Sequence, residues 1–127
     1  MKNSPILVAL LTLLAGFLRG CTGGQQTQSY QVRMSGDPTH GKALAQSYGC
    51  GACHSIPGIY TARGMVGPPL IAFGRRTIIA GELPNSPDNL VRWIMNPQSV
   101  DPKTAMPNLG LNDTQAHDIA AYLCTLR

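Results

Sequence analysis

The sequence has few aromatic side chains, which make up 6% of its 127 residues. A chain of this length forms one domain and has no room for a second core. With so few aromatic residues, such a core lacks large apolar groups, so we expect something other than side chains to fill part of the interior. Glycine and proline are abundant instead, with 14 and 10 residues, which predicts short helices joined by many turns.

The chain also lacks an apolar run long enough to span a membrane. The run at residues 6–18 has 13 residues, whereas a spanning helix takes about 20. Lys2 before this run and the letters LRGC after it indicate a secretory signal of the lipoprotein type at residues 1–20. LRGC resembles a bacterial lipobox, which predicts lipid modification of Cys21; ordinary secretion and a retained short anchor are the alternatives. Residues 21–36 are polar and glycine-rich, which predicts a flexible tether.

The net charge of the predicted mature chain is also small. The formal net charge is +4, but Lys2 and Arg19 lie in the predicted leader, so eight basic and six acidic residues leave +2 on residues 21–127. The arginines are scattered among acidic residues and have no interleaved aromatics. This pattern excludes a nucleic-acid-binding surface.

Two segments of the domain carry both the start and the stop signals of helices. Residues 38–48 follow Asp37, a good N-cap, and are followed by Gly49, a helix stop signal. Residues 87–96 follow Ser86, with one proline in the first turn and another at the stop. We therefore predict helices at both segments.

A third helix is predicted after Asn112, with an apolar stripe formed by Ala116, Ile119, Tyr122, Leu123 and Leu126. Residues 55–84 are rich in glycine and proline and predict a long loop, with one helical turn within residues 70–74. No segment reads as a strand, so the predicted fold class is all-α. Cys124 projects away from the stripe, beside His117, and we expect it to be partly exposed, as a harmless thiol or in an intermolecular disulfide.

Cys50, Cys53 and His54 form a C-x-x-C-H motif within SYGCGACHSIPG. A thioredoxin-type dithiol would need a βαβ pattern, which this sequence does not show. A structural zinc site needs four ligands, and neither a second C-x-x-C nor an H-x(3–5)-H pair is present. A disulfide between the two cysteines would close a very small loop and contribute little. The motif is instead the attachment signature of c-type haem, with the histidine below the iron.

A haem attached in this way usually takes a second axial ligand. We predict Met106, because Pro102 and Pro107 fix its extended loop between two helices, where a thioether can reach an iron without competing with helix packing. The alternative is a methionine that only contacts the core. The other candidates lie before the first helix, on helices or in the long loop: Met34, Met65, Met95, His40 and His117.

The segments GPPL, FGRRT and NLVRWIMNPQSVDPKTAMPNLGL resemble class I monohaem cytochromes c. The resemblance covers residues 37–127. It implies the small cytochrome c fold, in which three main helices and long loops wrap around one covalently bound haem. It also implies that Gly41 and Tyr122 lie where the first and last helices cross closely.

The same resemblance implies roles for individual residues. The carbonyl of Pro68 would accept a hydrogen bond from the second ring nitrogen of His54, and Arg75 would hold the buried propionate side of the haem. Trp93 would lie over the haem on the methionine side. Met106 takes the position of the family's methionine ligand, so His54 and Met106 would be the axial pair.

The segments ELPNSPDNLVRWI and MPNLGL look most like the cytochrome c domain fused to subunit II of bacterial haem–copper cytochrome c oxidases. Two features differ from that pattern. No copper-binding cupredoxin domain precedes the motif, and the family's tryptophan in the loop before the middle helix has no counterpart in TIIAGELPNSPD. We therefore expect a free-standing or lipid-tethered version of this domain.

The resemblance implies a one-electron carrier rather than an enzyme. Its partners would be redox proteins such as a quinol–cytochrome c reductase and a cytochrome c oxidase, and it would act as a lipid-anchored monomer on the periplasmic side of a bacterial membrane. One alternative is a haem subunit of a membrane-associated oxidase or dehydrogenase complex. The other is a five-coordinate haem enzyme or gas sensor.

Overall fold

The computed structural model describes residues 35–127, and the predicted leader, Cys21 and nearly all of the tether lie outside them. This part of the chain forms four α-helices: α1 (Pro38–Ser47), α2 (Cys50–Cys53), α3 (Pro87–Met95) and α4 (Asp113–Thr125). It also forms two 3₁₀ turns, at Phe73–Arg75 and Pro97–Ser99, and an antiparallel ribbon of β1 (Ile78–Ile79) and β2 (Leu83–Pro84). None of these helices is long and apolar enough to cross a membrane.

The three predicted helices are confirmed, and each begins at its predicted cap. The Asp37 carboxylate accepts a hydrogen bond from the Thr39 backbone N–H at 2.7 Å. Ser86 caps α3 in the same way. At α4, Asn112 and Gln115 form a reciprocal capping box. Because these caps satisfy backbone groups through neighbouring residues, they could be read from sequence alone.

Helices α1 and α4 cross closely at Gly41, as the resemblance implied. A Cβ atom at Gly41 would overlap the Asp118 carbonyl and lie 2.9 Å from the Ile119 nitrogen, so only glycine allows this approach. Further along α4, the Tyr122 hydroxyl donates to the Pro57 carbonyl at 2.9 Å. The crossing thus joins both ends of the domain and fixes the start of the long loop.

A buried carboxylate also joins these two helices. Asp118 is 5% exposed and accepts hydrogen bonds from the Asp37 backbone N–H and from His40 Nδ1–H, both at 2.7 Å. The Asp37 and His40 hydrogen bonds hold the pKa of the Asp118 carboxyl below its usual range. From the sequence, His40 was considered only as a candidate haem ligand, because its partner lies 78 residues away.

The ribbon adds two short strands that the sequence pattern did not indicate. Its turn contains Ala80 and Gly81, both left-handed with φ of 54° and 82°, and the Glu82 N–H donates to the Ile79 carbonyl at 2.9 Å. Two left-handed residues match the twist of paired strands and allow a tight hairpin. Strands of two residues are too short to show an alternating sequence pattern, so β1 and β2 could not be recognised from the sequence.

Helix α4 is more enclosed than its apolar stripe predicted. Ala121, which is not part of the predicted stripe, is buried. Cys124 is partly exposed, as expected, and burial raises the pKa of its thiol. This side of the helix is covered because the Gly74 N–H donates to the Leu126 carbonyl at 2.8 Å, which brings the 3₁₀ turn against the end of α4.

Candidate cofactor-binding site

The C-x-x-C-H motif begins on α2, a single helical turn. Gly49 precedes it with φ of 72°, a left-handed conformation that turns the chain out of α1. The thiols of Cys50 and Cys53 are half-buried and not joined in a disulfide. Burial raises the pKa of the Cys50 thiol, whereas a reactive dithiol at a helix N-terminus has a lowered one. The site therefore does not have the character of a thioredoxin-type centre.

The described residues provide no alternative metal centre either. Within residues 35–127, no three His, Cys, Asp or Glu side chains form a group that could hold a metal ion. A structural zinc site needs four such ligands.

The loop after the motif fixes the imidazole of His54. Its Nδ1–H donates to the Pro68 carbonyl at 2.8 Å, which leaves Nε2 as the nitrogen available to an iron. Gly67 lies directly against the same ring, since a Cβ atom there would stand only 2.6 Å from His54 Nδ1. The ring orientation is thus set by a hydrogen bond on one atom and by close packing on its face.

Hydrogen bonds between backbone groups connect residues 50–71, which we call the cysteine loop. The bonds link Gly64 N–H to Gly51 O at 3.0 Å, Gly67 N–H to Cys53 O at 2.8 Å and Leu70 N–H to Ser55 O at 2.9 Å. An isolated β-bridge also pairs Ser55 with Arg63. The segment around His54 is therefore cross-linked at several points along its length.

A cavity of about 490 Å³ lies beside the motif. This volume is in the range of cofactor and small-molecule sites. Cys50, Cys53 and His54 line it together with an apolar shell that consists of Leu70, Phe73, Trp93, Leu109 and Leu123. Two thiols and an imidazole beside a large apolar wall suit a flat, apolar macrocycle attached through sulfur.

Met106 also lines this cavity and is half-buried. The competing ligand candidates within residues 35–127 do not line it: Met65, Met95, His40 and His117. Met65 is 94% exposed, and His117 donates its Nδ1–H to the Asp113 carbonyl at 2.8 Å. Apart from the cysteine motif, Met106 is thus the one sulfur or imidazole group that the described residues bring to the cavity. Met34 lies outside them.

The arginine at the cavity is Arg76, which differs from the expectation for Arg75. Arg75 is exposed and does not line the cavity, whereas Arg76 does. Side chains three residues apart in a 3₁₀ turn lie on the same side, so Arg76 follows the buried Phe73. The Arg76 guanidinium lies 5.3 Å from the centre of the Phe73 ring. It also donates to the carbonyls of Pro69 and Ile71.

The ribbon supplies another part of the wall, where the sequence lacks the tryptophan of related proteins. Ile78, Ile79, Ala80 and Gly81 all line the cavity. The shortened loop therefore closes this side with a backbone turn and two isoleucines.

Residues 101–110, the methionine loop, have fewer connections to the rest of the domain. Most of the hydrogen bonds they make are internal, such as Met106 N–H to Thr104 Oγ1 at 3.2 Å and Gly110 N–H to Asn108 Oδ1 at 2.9 Å. From the 3₁₀ turn before the loop, Gln98 Nε2–H donates to the Met106 carbonyl at 2.7 Å. No role could be predicted for Gln98 from the sequence, because a single polar residue before a loop belongs to no recognisable motif.

Comparison with known proteins identifies the family of this chain. The family model described as Cytochrome c matches residues 38–127. This chain belongs to the cytochrome c family. A cytochrome c domain binds a covalently attached c-type haem and transfers electrons, so this domain is an electron-transfer protein that carries such a haem.

A curated relative is cytochrome c oxidase subunit 2 from Alkalihalophilus pseudofirmus (strain ATCC BAA-2126 / JCM 17055 / OF4). The two sequences are 36% identical over 87 residues, which cover 68% of this chain and 24% of the relative. The chain thus spans about a quarter of that protein's length. The relation agrees with the resemblance to the cytochrome c domain of oxidase subunit II.

Proposed function

We propose that this cytochrome c is a one-electron carrier of a bacterial respiratory chain, with His54 and Met106 as the axial ligands of its haem. The single observation that carries the proposal is that Met106, 52 residues beyond His54, lines the same cavity as the cysteine motif. When bound, the haem supplies one-electron exchange between ferric and ferrous iron. Two protein ligands leave no iron position for a substrate, so the remaining chemistry is electron transfer.

The protein's own groups tune this exchange. A thioether ligand favours the ferrous state and raises the potential relative to two histidines. The Pro68 carbonyl fixes the tautomer of His54 and increases the basicity of its other nitrogen. Leu70, Phe73 and Trp93 give the cavity an apolar wall, which would keep water away from the iron. Packing therefore serves the reaction without any catalytic step.

Arg76 provides the positive charge that the haem carboxylates need. Among the described residues that line the cavity, it is the only lysine or arginine, and Asp101 is the only acid. A haem carries two propionate groups, and burying an anion without a partner costs free energy. We therefore assign to Arg76 the role that the resemblance gave to Arg75.

Exchange with partners would take place at the haem edge near Cys50 and Cys53. Arg63 and Lys103 are exposed, whereas Asp101 is half-buried, so no strong field of one sign is expected to steer association. A quinol–cytochrome c reductase as donor and a cytochrome c oxidase as acceptor fit such a carrier. The name of the subunit 2 relative supports the direction towards an oxidase.

Anchoring would compensate for weak steering. We place lipidation at Cys21, with residues 1–20 removed as a signal and residues 21–36 as the tether of a monomeric periplasmic domain. A tether of about 15 residues keeps a domain within roughly 20 Å of its anchor, which raises the effective concentration near membrane-bound partners. Mass spectrometry of the mature protein tests this directly: a diacylglyceryl group on an N-terminal Cys21 is expected, and an unmodified secreted chain would contradict it.

The ligation is tested with the haem-loaded protein in its oxidised form. We expect a sulfur-to-iron charge-transfer band in the wild type and in Met65→Ala, and its loss in Met106→Ala. The reduced wild type should not bind carbon monoxide rapidly, because the sixth position is filled. Rapid binding together with a missing band would instead support a five-coordinate haem enzyme or gas sensor.

Reduction by a quinol–cytochrome c reductase and reoxidation by membranes that contain a terminal oxidase test the carrier role separately. Turnover by the soluble domain, residues 37–127, is expected at a lower rate than for the tethered protein. A haem-loaded protein that neither system oxidises nor reduces would favour a role as a fixed subunit of a larger complex.

A further inference from the structure

The methionine loop forms few hydrogen bonds with neighbouring elements. At its first residue, Asp101 N–H donates to the Pro97 carbonyl at 3.0 Å, which continues the 3₁₀ turn. Beyond that point, among the described residues, the Gln98 amide donating to the Met106 carbonyl at 2.7 Å is the only hydrogen bond between this loop and a residue outside it.

The position of this bond is specific, because it ends on the carbonyl of the methionine itself. The Met106 N–H donates to Thr104 Oγ1 at 3.2 Å, within the loop. Both backbone polar groups of Met106 are therefore engaged, one by the loop and one by Gln98. A bond that fixes the peptide of a residue also restricts where its side chain can reach.

Gln98 is supported by a regular turn. The segment Pro97–Ser99 follows α3 directly, and Pro97 is fully buried, so the turn has a fixed base. Ser99 Oγ donates to the Asn96 carbonyl at 2.7 Å, which closes the turn on itself. The Gln98 side chain thus extends from a rigid element to a loop that otherwise bonds mainly to itself.

We propose that Gln98 is a positioning residue that keeps Met106 on the haem iron, by restraining the opening of the methionine loop. The inference rests on the proposed ligation by Met106. Gln98 does not touch the iron, and its role is to slow and disfavour the excursion in which the thioether leaves. It is a neutral group, so it acts at every pH at which the protein is folded.

The test uses the oxidised, haem-loaded protein and its sulfur-to-iron band. Replacing Gln98 with leucine keeps the side-chain volume but removes the donor. Because one neutral hydrogen bond at a partly exposed site is lost, we expect methionine displacement by imidazole to become about three to ten times faster. The midpoint pH at which the band disappears on alkaline titration should fall by about 0.5–1 unit, if release is linked to one proton.

Two further variants separate positioning from folding. Ser99→Ala removes a hydrogen bond of the same 3₁₀ turn without touching the methionine loop, and it should displace methionine at the wild-type rate. Gln98→Arg restores a donor at this position and should return the rate towards the wild-type value. Urea unfolding of Gln98→Leu should change little, since the side chain is exposed.

The outcomes distinguish the two proposals. A wild-type protein without the sulfur-to-iron band overturns both the ligation and this inference. If the wild type has the band but Gln98→Leu matches it in displacement rate and alkaline midpoint, the ligation stands and the role of Gln98 is wrong. Equal acceleration in Ser99→Ala would also contradict the role, because it would trace the effect to the turn rather than to the bond.

Discussion

The cysteine loop and the methionine loop line the same cavity but are stabilised in different ways. Several backbone hydrogen bonds cross-link residues 50–71, whereas within the part of the chain that the structure describes only the Gln98 side chain forms a hydrogen bond from outside to residues 102–110. Backbone networks lose little when one side chain changes, whereas a single bond can be removed by one substitution. The comparison predicts that haem attachment is robust and that the proposed ligation by Met106 is adjustable.

The largest expected effect is at the cysteine loop. Replacing both Cys50 and Cys53 with serine removes the two thioether attachments, so haem should no longer stay with the chain under denaturing conditions. Haem staining of a denaturing gel measures this. Cys124→Ser is the matched control, because that half-buried thiol does not line the cavity, and it should keep full staining. Persistent covalent haem in the double variant would contradict the assignment.

A glycine in each loop allows a direct comparison of their tolerance. Gly67→Ala should lower the free energy of unfolding by about 3 kcal/mol, because its Cβ collides with the His54 ring. Gly110→Ala meets no atom within 4 Å and should cost only its left-handed strain at φ of 67°, about 1 kcal/mol. Urea unfolding of the haem-loaded variants checks both values. Equal costs would show that the imidazole is not packed as described.

The helix crossing supports both loops and should affect stability without changing the ligands. Asp118→Asn should cost about 2 kcal/mol near neutral pH, because it weakens the bonds from Asp37 and His40. The pKa of Asp118 is lowered in the folded state, so its contribution is complete above the ordinary carboxyl value of about 3.9 and is lost as the pH falls through the folded pKa.

Urea unfolding from pH 6 downwards should therefore show the wild type and Asp118→Asn converging in stability at low pH. The exposed Asp113 on the same helix offers the control, and Asp113→Asn should follow the wild type more closely at neutral pH. The sulfur-to-iron band should be unchanged in both variants. If the difference in unfolding free energy between the wild type and Asp118→Asn increased as the pH fell, the lowered pKa of Asp118 would be contradicted.

The smallest effect is expected at the two arginines. Arg76→Gln leaves a haem carboxylate without its cation, which favours the ferric state and should lower the reduction potential by about 30–60 mV, up to a tenfold change in a one-electron equilibrium. Arg75→Gln should change it much less, because Arg75 is exposed and does not line the cavity. A spectroelectrochemical titration of both variants measures the difference, and the opposite ranking would restore Arg75 to the propionate role.

Local signals in the sequence predicted the helices and the cysteine motif. Asp37, Ser86 and Asn112 cap helices through residues within three positions, and C-x-x-C-H is a continuous pattern. Met106 could be selected because prolines on both sides predicted an extended loop. These features depend on neighbours in the chain, so no tertiary information was needed.

Two features could not be predicted from the sequence. One depends on partners that are distant in the chain, and the other depends on which of two adjacent residues faces the cavity. Asp118 and His40 are 78 residues apart, and nothing in either segment indicates that they meet. Arg76 rather than Arg75 lines the cavity, because it directly follows the 3₁₀ turn and its guanidinium lies over the Phe73 ring. A helical turn was expected there, but its exact register was not readable from an adjacent pair of arginines.

The most direct test of the central claim is a proton NMR spectrum of the reduced, haem-loaded protein. A methionine that ligates ferrous haem lies in the ring current, so its methyl resonance moves far upfield of ordinary methyl signals. We predict one such resonance in the wild type, retained in Met65→Ala and absent from Met106→Ala. A wild-type spectrum without it, or one in which it survives the Met106 substitution, would contradict the axial pair of His54 and Met106.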